Sequence, residues 1–203
     1  LYRVRRKVDI SLSDEHDLWC LQSNSLPADS SSIFVYEDPR LKAIGSRVIS
    51  TKNEDLRKSL KDVSDGNEDD YIAHRYQLGV GEGIVDIPPE KSFPMEANCD
   101  FMNGVSFQKG CYIGQELTAR TFHTGVVRKR LMPLTFDKPI SVNLSEVHDV
   151  KDEQKKSVGK LRNIIGSHGL GLLRVEQVLA AKELSINENL CHTEKPSWWP
   201  QTK

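Results

Sequence analysis

The chain has 203 residues, 37% of them hydrophobic, with 28 Lys and Arg against 29 Asp and Glu for a net charge of −1. That length supports one large domain or two small ones, and the charge balance excludes a chain-wide electrostatic grip on nucleic acid or a membrane surface. No apolar run approaches the ~20 residues of a membrane helix, and four cysteines without C-x-x-C or zinc-finger spacing point to a reducing compartment rather than to disulfide staples.

No signal peptide is visible. Leu1 stands where one element reads as running into a strand, as expected of a processed or truncated piece. Val8, Ile10 and Leu12 alternate with polar residues, which is strand periodicity. Residues 18–21 read as a second strand, joined to the first as a hairpin through residues 13–17. The serine-rich segment 23–32 is a loop. Residues 33–36 are a buried strand stopped by the turn Asp38-Pro39, and residues 47–50 are a further short strand. The first fifty residues therefore predict a small, mainly antiparallel sheet.

Helices are expected next. Leu56, Leu60 and Val63 have helical spacing over residues 54–63, and Asp65-Gly66-Asn67 ends that run. Asn67 with Asp70 three residues later is a helix start, the helix runs over 69–78, and Gly79 suits its C-terminal cap. A sheet followed by two helices is α+β rather than doubly wound. The glycines at 79, 81 and 83 follow a helix and lack G-K-[ST], so they read as a helix cap entering a turn, not as a phosphate loop. Pro88-Pro89 ends the unit. Residues 93–116, rich in Gly, Asn and Pro, have the composition of a structured functional loop rather than of core.

Residues 113–122 read as a helix, and Gly125 marks a boundary. A long strand over 126–136 precedes a charged stretch, 145–156, with a short strand and a loop. Candidate strands at 157–165, 169–175, 184–186 and 188–192 then predict a small barrel or sandwich. Trp198 and Trp199 read as rings covering a core from outside. The expected division is 1–92 as an α+β part, 93–124 as a loop and helix, and 125–203 as the C-terminal barrel. The basic clusters at Arg3, Arg5, Arg6 and Lys7 and at Arg128, Lys129 and Arg130 read as solvated faces, so nucleic acid is not an expected partner.

One stretch carries chemistry: Lys109-Gly110-Cys111-Tyr112-Ile113-Gly114-Gln115-Glu116. Two glycines flank the thiol and leave room for close approach. Lys109 and the start of the following helix favour a thiolate, and Glu116 opposes one. The alternative is a small buried cysteine that only packs. The six histidines are scattered; His123, twelve residues after Cys111, lies at the far end of the predicted helix, ~15 Å along its axis. No G-x-S-x-G, H-E-x-x-H or paired-carboxylate signature appears, so no catalytic residue is assigned and an enzyme is not the favoured reading. A permanent iron–sulfur cluster needs about four ligands. Cys99 lies in the same loop region, but nothing in the spacing brings it to Cys111. A cluster held by Cys111 would take its other ligands from a partner protein or a small thiol.

Residues 105–116, followed by Thr118-Ala119-Arg120, resemble the signature of the folate-binding YgfZ-type proteins, relatives of the glycine-cleavage T-protein, an aminomethyltransferase. Pro94, Glu96, Gly125, residues 128–131, Asp38-Pro39-Arg40, Gly45, Arg47 and the Trp-Trp-Pro ending also fit, closest to the mitochondrial branch of iron–sulfur cluster assembly factors. The resemblance implies a T-protein-like α+β fold with a C-terminal antiparallel β-barrel. It implies maturation of mitochondrial 4Fe–4S proteins in the matrix, linked to heme biosynthesis, with A-type carriers as partners. Cys111 is the implied ligand of a shared cluster, with Lys109, Gly110, Tyr112, Gly114, Gln115, Glu116 and Arg120 as motif support. Relatives bind tetrahydrofolate in a central cavity, and Arg47, Arg75 and Glu96 are the residues carried over for that ligand. Part of that cavity, and the catalytic aspartate of the aminomethyltransferases, belong to an N-terminal portion this chain lacks. A tetrahydrofolate-dependent one-carbon transferase is the alternative function. A nucleic-acid-modifying accessory protein is a third, resting on the basic clusters.

Overall fold

Alternation sets the first sheet. In the computed structural model, which describes residues 11–23, 26–27, 30–52, 54–58, 60 and 63–201, strand β3 (Ser46–Thr51) buries every second residue, Ser46, Val48 and Ser50. It is the central strand of an antiparallel sheet, between β1 (His16–Leu21) and β2 (Ile33–Glu37). Val48 pairs with Trp19 on one side and Val35 on the other, and with Ile33 and Leu56 it forms a small core. Ser50 is buried because its Oγ accepts from the Trp19 indole N–H at 3.1 Å. These strands belong to a unit comprising residues 1–38 and 45–64.

One expectation in this unit changes, and another lies largely outside the described residues. The strand over 8–12 lies largely outside the described residues, as do Arg3, Arg5, Arg6 and Lys7, and the described partner of β1 is β3. The helix expected over 54–63 is, among the described residues, a 3-10 turn at Leu56–Lys58. Leu56 is the one of its three apolar positions that is fully buried, and a short helix without a buried face is marginal.

The second unit comprises residues 39–44 and 65–203. Helix α1 (Glu68–Gln77) starts at the anticipated place. Asn67 accepts from the Asp70 N–H at 3.1 Å, and Asp70 accepts from the Asn67 N–H at 2.8 Å, a complete capping box. Gly79, at φ +72°, ends it, with its N–H on the Tyr76 carbonyl at 3.0 Å. A four-residue helix that the sequence reading did not contain, α2 (Gly83–Asp86), follows. Helix α3 (Gln115–Thr124) starts two residues later than expected, with Gly114 at its N-terminus.

The barrel answers the strand spacing. Strands β4 (Lys129–Phe136), β5 (Asp149–Asp152), β6 (Ser157–Ile165), β7 (His168–Arg174), β8 (Leu184–Ile186) and β9 (Asn189–His192) close in the order β4-β7-β6-β5-β8-β9. Closure comes from Thr135 and Phe136 pairing with His192 and Cys191, which removes the sheet edges. Met132, Leu134, Phe136, Val150, Val158, Leu173 and Ile186 fill the interior. Strand β4 is buried on both faces, because outward Leu131 packs against Tyr76, Ala97 and Leu170. A short helix between β7 and β8, α4 (Val175–Ala180), is also additional; its Val178 joins the barrel core. Trp199 is buried in that core, and Trp198 donates its indole N–H to the Leu78 carbonyl at 2.8 Å. Among the described residues, no helix is long and apolar enough to cross a membrane.

Candidate functional site

The segment 93–103 is less loop-like than its composition. Met95, Ala97, Asn98 and Met102 are buried. Asn98 adopts φ +60° and donates its side-chain amide to the Leu131 carbonyl at 2.9 Å, while the Leu131 N–H reaches Glu96 O at 2.7 Å. These bonds fix the segment to β4. Beyond Gly104, whose N–H bonds to Cys99 O at 2.7 Å, the chain leaves the core.

Cys111 is exposed and free. The packing role open to it from sequence does not apply. Cys191 is buried in the barrel, and Cys20 and Cys99 are half-buried. Burial pushes the Cys99 thiol up, with Asp100 adding to the shift, and Cys99 packs beside Tyr76, Ala97, Leu131 and Leu170. Among the described residues, no three His, Cys, Asp or Glu side chains gather around a possible metal position. The described residues therefore offer one exposed thiol and no complete cluster site.

The loop around the thiol is open. A Cβ built on Gly110 or Gly114 would meet nothing within 4 Å. Gly114 sits at φ +86° at the start of α3, where its carbonyl accepts from the Thr118 N–H at 3.2 Å and the Thr118 hydroxyl at 3.0 Å. The Lys109 ammonium lies 4.8 Å from the centroid of the Tyr112 ring, a cation–π contact. The Tyr112 hydroxyl is buried without a partner among the described residues. Glu116 and Arg120 form an exposed i,i+4 ion pair at 3.1 Å, a pair of small energetic weight; Gln115 opens the helix beside them. Ile113 is fully exposed, and Leu117, Phe122 and Val126 are also exposed. Phe107 stacks on Phe122 with ring centroids 3.7 Å apart and planes at 17°. His123, in the last turn of α3, meets Phe122 edge-on.

The residues carried over for folate each make contacts within the described structure. Arg47, in the first unit, donates from Nε to buried Asp38 at 3.0 Å. Arg75, in the second, is buried and donates to Asp86 at 2.9 Å and to the Val80 carbonyl at 3.0 Å. Asp86 also accepts from the Tyr76 hydroxyl at 2.6 Å and the Glu82 N–H at 2.9 Å. Glu96 lines a crevice of about 10 Å³ with Asp86, Ser92, Leu131 and Arg162. That space holds about one water and no pteridine ring. Burial pushes the Glu96 carboxyl up, against the lowering pull of Lys129 and Arg162.

Sequence reading also missed a polar centre. Arg130, counted with Arg128 and Lys129 as a solvated cluster, is buried. It donates to both Asp100 carboxylate oxygens at 2.8 Å and to Met95 O at 2.7 Å, with its guanidinium 3.9 Å from the Phe101 ring centroid. The available signal was an arginine in the alternating register of a strand.

Residues 128–201 match the family model described as "CAF17, C-terminal beta-barrel domain". The chain is 36% identical to the Mus musculus protein named "Iron-sulfur cluster assembly factor IBA57, mitochondrial" and 37% identical to the Homo sapiens protein of the same name, over 98% of this chain in both cases. A Mycosarcoma maydis protein named as a homologue of that factor is 34% identical, again over 98% of this chain. The chain spans 59% of the length of the mouse and human relatives.

Proposed function

We propose that this chain, homologous to the mitochondrial iron–sulfur cluster assembly factors over 98% of its length, works as such a factor in maturing 4Fe–4S proteins in the mitochondrial matrix. Its cargo is an iron–sulfur cluster held between Cys111 and an A-type carrier. The observation that carries this reading is the exposure of Cys111 on an open, glycine-flanked loop while the other three cysteines are wholly or partly withdrawn. A single thiolate is one ligand of about four, so a cluster reaching it stays bound to the carrier that delivers it. In this reading residues 1–92 are part of a T-protein-like body, 93–124 present the thiol, and 125–203 are the barrel.

Nothing about Arg47, Arg75 or Glu96 favours the one-carbon transferase, since the two arginines are engaged by Asp38 and Asp86 and the crevice beside Glu96 has room for about one water. Mixing the protein with a cluster-loaded A-type carrier and following visible absorption tests the proposal. Wild type is expected to form a cluster-bridged complex, and Cys111→Ser is expected to reduce it at least about tenfold, the loss of one thiolate from a four-ligand site. An undiminished complex with Cys111→Ser would sink it.

A further inference from the structure

Between the Gly104 N–H bond to Cys99 and the Gln115 N–H bond to Tyr112 O, no backbone hydrogen bond holds residues 105–111 among the described residues. Their side chains make no hydrogen bond there either. Yet this stretch carries the thiol on which the proposed function rests. What ties it down is aromatic. Phe107 lies four residues before Cys111, and Phe122 lies eleven after it in the last turn of α3. Their rings stack at 3.7 Å and 17°.

We infer that Phe107 and Phe122 are positioning residues for Cys111: their stack clasps the incoming chain to the far end of α3. The thiol-bearing loop then runs between two fixed points, the clasp and Gly114 at the start of the helix. This deepens the cluster-sharing reading and rests on it. The physical reason is preorganisation. A thiolate on a free tether must surrender its conformational freedom when it joins a cluster on another protein. A loop already closed by a stack has surrendered that freedom beforehand, so more of the binding energy survives. Phe122 suits the task because it is exposed and outside the barrel core, so its ring is not committed to that core. The fully open positions of Gly110 and Gly114 remove steric guidance from the loop itself, which leaves orientation to its anchors.

The test uses the full chain with Phe122→Ala, Phe107→Ala and Phe122→Tyr. A nitroxide attached to Cys111, the exposed cysteine, reports loop mobility without any cluster present. The alanine variants are expected to sharpen the nitroxide spectrum towards free motion while far-UV circular dichroism stays unchanged. They are also expected to weaken the cluster-bridged complex with the carrier by about two- to tenfold, the range of a single aromatic stack. Phe122→Tyr keeps the ring and is expected to behave as wild type in both measurements. Unchanged mobility in both alanine variants overturns the clasp. Increased mobility with an undiminished bridged complex overturns the positioning role. If wild type itself forms no bridged complex, the assembly reading fails and the positioning role falls with it, while the nitroxide spectra still report the clasp separately.

Discussion

A buried guanidinium is tolerated only when its donors and its flat faces are occupied, and Arg130 meets both conditions. Its fork is matched by Asp100 at 2.8 Å to each oxygen, a third acceptor is Met95 O at 2.7 Å, and aromatic rings of Phe101 and Trp199 lie against it. Asp100 is as buried as its partner, with 6% side-chain exposure against 8%. Removing one member therefore strands the other charge in a dry site. Arg130→Ala is expected to lower stability by about 3–5 kcal/mol, the range for a broken buried pair, read as a shift in urea midpoint. Arg130→Lys keeps the charge and loses the bidentate geometry, so it should fall between alanine and wild type. If alanine and wild type unfold at the same urea concentration, Arg130 is an exposed residue of the basic cluster after all. From sequence alone this role was hidden: Arg128 and Lys129, both exposed, made the third basic residue look like more of the same.

Single elements show where sequence reading succeeds and where it stops. Helix α1 was legible because its ends are local chemistry: Asn67 and Asp70 cap one end, and Gly79 takes the left-handed turn at the other. Strands β6 and β8 were legible because short runs at close spacing between turns predict a barrel; Leu184 and Ile186 alternate into its interior, whereas Val158 and Leu161 stand three residues apart, next to a register shift in β6. Among the described residues of 54–63 the expected helix is a 3-10 turn, because period alone does not bury a face; Leu56 found one in the sheet core and Val63 did not. The exposure of Cys111 was half-legible from its glycines, whereas the Phe107–Phe122 stack was not, because it depends on how a loop closes through space. Gly79 and Gly114 permit a direct comparison of element ends. Both have positive φ, so an alanine at either pays the left-handed penalty, about 1–2 kcal/mol. At Gly114 that is the whole cost, since a Cβ there meets nothing within 4 Å. At Gly79 the Cβ would stand 2.9 Å from Pro133 Cδ, in the packing between α1 and β4. Gly79→Ala should therefore be the more destabilising in urea unfolding, and the reverse order would remove steric crowding from the account.

At the scale of the whole molecule, Glu96, Cys191 and Tyr76, all raised chiefly by burial, bias stability in one direction. Burial raises the Glu96 carboxyl above its ordinary range, with Lys129 and Arg162 opposing. Burial pushes the Cys191 thiol up to about 12. The Tyr76 phenol is raised by burial and then by its bond to Asp86. Burial penalises the charged form of each group, so the folded protein keeps these protons to higher pH than the unfolded chain does. Where the folded state binds more protons than the unfolded one, stability falls as pH rises. The Glu96 contribution is complete below about pH 4.3, the ordinary glutamate value, and is lost as pH rises through the raised folded value. The Cys191 contribution is complete below about pH 8.5, the ordinary thiol value, and is lost towards about 12. Glu96→Gln keeps the side-chain shape without the acid and isolates the lower window. Urea unfolding of wild type and Glu96→Gln is expected to diverge above about pH 4.3, the ordinary glutamate value, with the variant gaining relative to wild type as pH rises. Parallel curves through that window would mean that Glu96 ionises inside the fold without penalty, its burial compensated in full by Lys129 and Arg162.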